Sequence, residues 1–232
     1  MEQQRVKRAQ LQWFDVVVVS MILFGGAILS STQALLTTPA EILEQGSEFT
    51  AADNWFGLVT IILELGVSWL YLRWRNFDFS QWKYRPTWKG TVRAILIFLL
   101  MSVAMDAVSI VSLGWQEATA YVGQLGILHV LSEIDASLLI FSFMNGIYEE
   151  IFFLGVCTAV PEEQRTGVVC YSLMVRFAFH TYRGIPSALG IGFAIGGIYY
   201  FLYRRNPDKN LYPYMLSHAF ADVFGAGLLY LL

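Results

Sequence analysis

Charge is scarce in this sequence. Asp, Glu, Lys and Arg make up 14% of its 232 residues, where an ordinary soluble domain carries about 25%. Fifteen basic and 18 acidic residues leave a net charge of −3. With no basic stripe interleaved with aromatics, a nucleic-acid partner is excluded. Cysteine is nearly absent. Cys157 and Cys170 lie in apolar surroundings without metal-type spacing, and both read as small core hydrophobes with no redox role. There is no internal repeat, no low-complexity tract, no Gly-x-Ser-x-Gly elbow and no HExxH zinc motif.

Hydrophobicity is abundant: 56% of the residues are apolar and the mean hydropathy is +0.52. A domain of this size cannot hide so much apolar surface in its own core, so the surface is expected to face lipid. Runs long enough to span a bilayer, about 20 residues each, predict an all-α, polytopic membrane helix bundle of seven helices, at residues 13–36, 54–74, 92–113, 136–160, 166–183, 186–203 and 211–231. The first run is preceded by Arg5, Lys7 and Arg8, as a secretory signal would be. Its uncharged stretch is too long for a signal h-region, and it is read as a mature helix. One membrane domain over 1–232 is expected, with a catalytic core at 136–231.

Lys and Arg fall on alternate connections. Arg5, Lys7 and Arg8 precede helix one; Arg73, Arg75, Lys83, Arg85, Lys89 and Arg93 follow helix two; Arg165 lies between four and five; Arg204, Arg205 and Lys209 lie between six and seven. Segments 37–53 and 114–135 contain neither residue, and carry Glu41, Glu44, Glu48, Asp53, Glu117 and Glu133. Arg183 alone falls in an outer connection. The positive-inside rule then predicts a multi-pass cell-membrane protein with a cytoplasmic N-terminus and an outer C-terminus. Trp13, Trp55, Trp74, Trp82, Trp88 and Trp115 lie near the expected helix ends, as interface anchors do.

Ionisable side chains inside the spans are costly and therefore functional suspects: Glu64, Asp106, Glu149, Glu150, Arg176, His180, His218 and Asp222. Glu64 and Asp106 stand alone on their helices and read as hydrogen-bonded carboxyls packed inside the bundle, or as supports. At 1.5 Å per residue, Glu149, His180, His218 and Asp222 all come about 12–21 Å deep from the inner ends of helices four, five and seven. His218 and Asp222 are one turn apart and share a face. Glu149 and Glu150 diverge around their helix and do different jobs. Carboxylates with imidazoles suit water activation, with a glutamate as general base and donors at the oxyanion. The same set suits one zinc with an open water position. Both forms stay open.

In order and spacing, these residues resemble the CAAX protease and bacteriocin-processing (CPBP, or Abi) family of intramembrane endopeptidases. That family carries EExxxR, then FxxxH, then HxxxN or HxxxD. Here the first stretch is Glu149-Glu150-Ile-Phe-Phe-Leu154, the second Arg176-Phe-Ala-Phe-His180 and the third His218-Ala-Phe-Ala-Asp222. The resemblance implies that Glu149 activates water together with His180. It implies that His218 and Asp222 stabilise the oxyanion, or that Glu149, His180, His218 and Asp222 hold a metal such as zinc. Glu150 would then hold the site together. Leu154 replaces the family's arginine and Arg176 its phenylalanine; a single swap, in which Arg176 pairs with Glu150 from helix five, accounts for both. The alternative is a member that has lost catalysis.

Three function classes follow. The leading one is an endopeptidase acting on a membrane-associated peptide, approached from the cytoplasm-facing half, in maturation of a bacteriocin or signalling peptide or in self-immunity. A prenylated CAAX substrate is the eukaryotic counterpart, and nothing in the sequence selects it. The second is a non-catalytic immunity or peptide-binding protein. The third, a proton-coupled transporter, is disfavoured by the lack of repeated halves.

Overall fold

The computed structural model describes residues 7–39, 49–119, 122 and 126–232; Arg5, Glu41, Glu44 and Glu48 lie outside the described residues. Seven principal helices follow one another: α1 (Trp13–Thr37), α2 (Ala51–Trp74), α3 (Trp88–Leu113), α4 (Ala136–Val156), α5 (Glu162–Phe179), α6 (Ile185–Arg205) and α7 (Tyr212–Phe224). Short helices at Trp115–Ala118 and Gly126–Glu133 link α3 to α4. Among the described residues there are two isolated bridges and no strand.

The protein is a helical membrane bundle. Five helices, α1, α2, α3, α4 and α6, are long and apolar enough to cross a membrane. The other two fall short for identifiable reasons. Glu162, Glu163, Arg165 and Arg176 dilute the apolar character of α5. The last helix stops at Phe224, where Gly225 takes a φ of 84°, so the expected run to 231 is cut short; a glycine in this left-handed region is a common helix stop.

Helix starts obey ordinary capping chemistry. Thr50 and Asp53 cap α2 reciprocally. Thr87 accepts from the Gly90 N–H at the start of α3, and Asp135 from the Leu138 N–H at the start of α4. That N–H, with the Ser137 hydroxyl, holds the Asp135 carboxyl below its ordinary range. Ser137 also accepts from Asn54 at 3.1 Å, pinning α2 to α4.

The centre of the bundle is α4, with more than half of its apolar stretch buried (56%) against 17% for α2. It packs on α7 and α2, while α7 also packs on α3, and α1 on α5. Glycines permit the closest approaches. A Cβ on Gly146 would run into the Met215 carbonyl of α7, and one on Gly192 would stand 2.8 Å from the Phe177 Cα of α5. Phe24 of α1 knits the interior, stacking on Phe179 at 4.7 Å and meeting Phe152 edge-on at 5.1 Å. Outward faces carry Phe56, Val59, Leu63, Leu96 and Leu128, the surface a bilayer covers. Cys157 is buried as expected, but Cys170 is exposed, because it lies on an outward face of α5.

The connections that carry Lys and Arg are laced together at one end. Arg8 N–H donates to the Asn76 carbonyl (2.8 Å), and Leu11 N–H to the Ala159 carbonyl (2.7 Å). Leu211 N–H donates to the Lys83 carbonyl (2.9 Å), and Arg85 and Asn210 exchange two bonds. Asp15, buried at the start of α1, accepts from Arg75 Nε (2.6 Å) and the Tyr71 hydroxyl (2.7 Å). Trp82 is half-buried in this end, whereas Trp13, Trp55, Trp74, Trp88 and Trp115 are exposed.

Candidate active site

The α-helical part of α4 ends at Glu150, and Ile151–Val156 continue as a π-helix, a local rewinding frequent at functional sites. Glu149 and Glu150 sit at this junction, facing α5 and α7. Their side chains are 4% and 0% exposed.

Glu150 is a structural anchor. Its Oε1 accepts from Arg176 Nη2 of α5 at 2.7 Å and from His218 Nδ1 of α7 at 2.8 Å. The guanidinium also lies 4.0 Å from the Phe153 ring centroid. Two cationic or polar partners on one oxygen fix three helices around one carboxylate, and such charge-assisted bonds are short and strong. The Arg176–Glu150 pairing inferred from the exchanged motif residues is present in the fold.

Bound at Nδ1, His218 turns Nε2 towards Glu149 Oε1 and Asp222 Oδ1, each 3.7 Å away. That is too far for a direct hydrogen bond, so Nε2 is left for a water or substrate atom lying beside these oxygens. Asn145 closes the ring. Its Nδ2 donates to Asp222 Oδ2 at 3.0 Å and reaches Glu149 Oε1 at 3.4 Å. Nothing in the sequence motifs singled out Asn145; its only signal was a position one turn before Glu149. Glu149 Oε2 and Glu150 Oε2 are buried without a protein partner, leaving lone pairs for a water or substrate.

His180 is held by its own helix end. Its Nδ1 bonds the Arg176 carbonyl at 2.8 Å, and its ring lies 4.2 Å from Phe179 and 6.2 Å from Tyr182. Since a carbonyl only accepts, Nδ1 carries the proton and Nε2 is the ring nitrogen left to act as base or donor. It makes no direct hydrogen bond to Glu149, His218 or Asp222, which meet with Glu150 around the His218 imidazole.

Exposure rises along α7 from His218 (11%) to Asp222 (26%), away from the Lys- and Arg-bearing end. The cluster is sealed at Glu150 and opens at Asp222. Approach from the basic end, the direction expected from the sequence, runs against this gradient.

The donor set also fits a divalent cation. Glu149, Glu150 and His218 each bring a ligand atom within 4.8 Å of the others. Glu150 Oε1 is already committed to Arg176 and His218, which makes it an orienting partner of the imidazole. Glu149 Oε1 and Asp222 Oδ1 each lie 3.7 Å from His218 Nε2, but the set that converges within 4.8 Å among the described residues does not include Asp222.

The carboxyls that stood alone in the sequence have partners. Glu64 accepts from the Tyr148 hydroxyl at 2.6 Å, and Tyr148 also bonds the Leu23 carbonyl. Asp106 receives the Leu228 and Leu229 N–H groups at 3.0 and 3.3 Å, holding the segment after α7.

Residues 131–224 match the family described as Rce1-like, type II CAAX prenyl endopeptidase Rce1-like. That span runs from just before α4 to the end of α7 and contains every residue of the cluster. No curated protein and no solved structure matches the chain.

Proposed function

We propose that this chain, which belongs to the CAAX protease family through residues 131–224, is an intramembrane endopeptidase that hydrolyses a peptide bond of a membrane-associated peptide or protein. The observation that carries the reading is the 3.7 Å gap between His218 Nε2 and both Glu149 Oε1 and Asp222 Oδ1. It leaves an imidazole nitrogen and two carboxylate oxygens close together but not bonded to one another, in a cluster that is buried at Glu150 and more exposed at Asp222.

In this mechanism Glu149 takes a proton from the water, and the water oxygen forms a bond to the scissile carbonyl carbon. The carbonyl electrons move onto its oxygen. A protonated His218, held at Nδ1 by Glu150, presents Nε2–H to that oxyanion. Asn145 supplies a further amide donor and keeps Asp222 off the oxyanion. Glu149 then returns the proton to the leaving nitrogen as the C–N bond breaks. His180 Nε2 is the second base or donor, and it reaches the reacting group through the substrate or through a water. Arg176 acts as a positioning residue through Glu150. If a divalent cation such as zinc were used, Glu149 and His218 would hold it with Asp222 as a further candidate ligand, and it would supply Lewis-acid polarisation of the water and the carbonyl.

The substrates proposed are a bacteriocin or signalling peptide in maturation or self-immunity; the family description equally names prenyl substrates. The alternation of basic connections supports a cell-membrane protein with its basic end in the cytoplasm. The test is Glu149→Gln, His180→Ala and His218→Ala at equal expression, scored for cleavage of candidate peptides in proteoliposomes. Loss of at least a hundredfold in Glu149→Gln and His218→Ala is expected. Unchanged function in all three would replace hydrolysis by peptide capture on the same fold. Chelation with metal analysis separates the metal and metal-free forms of water activation.

A further inference from the structure

At the basic end, away from the cluster of carboxylates and imidazole, lies a cavity of about 310 Å³ lined by Trp82, Lys83, Gly155, Tyr203, Arg204 and Lys209, among others. Three of these are cations, and among the described residues no carboxylate pairs with Lys83, Arg204 or Lys209. Lys209 Nζ instead donates to the Tyr203 and Arg204 carbonyls at 3.0 and 2.6 Å, which fixes the ammonium beside Arg204. Burial, followed by the neighbouring charges of Arg204 and Arg165, pushes the Lys209 ammonium below its ordinary pKa. Like charges held together with no counter-charge make a site that an anion completes.

A second feature points the same way. The Trp82 indole Nε1–H is buried without an acceptor. It lies 3.1 Å from where a Cβ on Gly155 would stand, so the indole packs directly on the glycine, a contact that any side chain there would crowd. A buried donor with no partner is costly, and a small shift of the indole that turned the N–H into the cavity would let an anionic oxygen relieve it. Trp82 and Gly155 belong to different parts of the chain, brought together by the docking of the 76–85 segment on the π-helical end of α4.

We propose that this cavity binds a phosphate group, with Lys83 and Arg204 neutralising its charge, Trp82 Nε1–H donating to one oxygen and Lys209 facing another. Its position among helix ends on the basic face makes the headgroup of an anionic phospholipid the source, since basic pockets between spanning helices at that face take such headgroups. Free inorganic phosphate shares the chemistry. Occupancy would clamp the 76–85 segment, α4 and the α6–α7 connection together, and it does not depend on the hydrolytic reading of the cluster.

The full chain, purified in neutral detergent, would be exchanged into nanodiscs of phosphatidylcholine containing one-fifth phosphatidylglycerol. Retained phospholipid would be counted by native mass spectrometry. A parallel sample without anionic lipid would receive inorganic phosphate, read by thermal shift. The expected result is one retained phosphatidylglycerol per chain. Retention should fall at least tenfold in Lys83→Gln/Arg204→Gln and several-fold in Trp82→Phe, which removes the donor and keeps an aromatic side chain. Stabilisation by inorganic phosphate alone, with no lipid preference, would keep the phosphate site and overturn the lipid as its source. Equal retention of both lipids together with no phosphate response, or wild-type retention in a folded Lys83→Gln/Arg204→Gln variant, would overturn the proposal.

Discussion

Arg176 and Glu150 form a salt bridge at 2.7 Å with side chains 2% and 0% exposed. It joins α5 to α4 in the interior of the bundle. The same carboxylate oxygen holds His218, so the pair determines where the imidazole of the cluster points.

Removing one member of this pair leaves a buried charge without a partner. Arg176→Leu should lower unfolding stability in detergent by about 3–5 kcal/mol and cut cleavage with it. In Arg176→Leu/Glu150→Leu, the combined loss should be well below the sum of the single losses, as a double-mutant cycle on thermal unfolding would register. An Arg176→Leu protein with full activity and stability, set against an impaired Glu150→Gln, would remove the claim that the arginine supports this carboxylate.

Asn145 bridges the two carboxylates that face His218. Asn145→Leu is expected to keep expression and thermal stability close to wild type while reducing kcat about ten- to a hundredfold, with KM little changed. Asn145→Asp should be worse, because it adds a fourth carboxylate to a cluster that already contains Glu149, Glu150 and Asp222. Steady-state kinetics on any cleaved peptide checks both.

Two glycines should respond to alanine with opposite signs. At Gly146 a Cβ meets the Met215 backbone. Gly146→Ala should therefore push α7 away from α4, costing about 1–3 kcal/mol and impairing cleavage, since Glu149, Glu150 and His218 sit along that contact. At Gly66 there is open space. Gly66→Ala should be neutral, or stabilising by up to about 1 kcal/mol from helix propensity. Thermal melts of the two purified variants decide the sign.

Tyr148 precedes Glu149 and donates to Glu64 across the α2–α4 contact. Tyr148→Phe should cost about 1–3 kcal/mol, because it strands a half-buried carboxyl. Adding Glu64→Leu should recover part of that loss. Full additivity of the two in thermal unfolding would mean that the bond does not contribute.

The sequence by itself determined the class of molecule and most of the chemistry. Apolar runs of bilayer length depend on composition alone, so α1 to α4 and α6 were legible as spans with ends misplaced by a few residues, whereas α5 forms as a helix but is too charged to match one. The early stop of α7 hung on a single left-handed glycine, Gly225, inside an otherwise apolar run. Motif spacing also sufficed to nominate Glu149, Glu150, His218 and Asp222, since residues one turn apart must share a face. What tertiary structure decided was which atoms meet. The pairing of Glu64 with Tyr148, the seating of Asp106 under the last segment, the bridge made by Asn145 and the meeting of His218 with Glu150 all depend on helix rotation and distance. These are set by contacts such as Gly146 on Met215, between residues far apart in the chain, and no local pattern encodes them. Arg176 lay between the two cases: its oddity was visible in the sequence, and its partner became certain only when α5 packed beside α4.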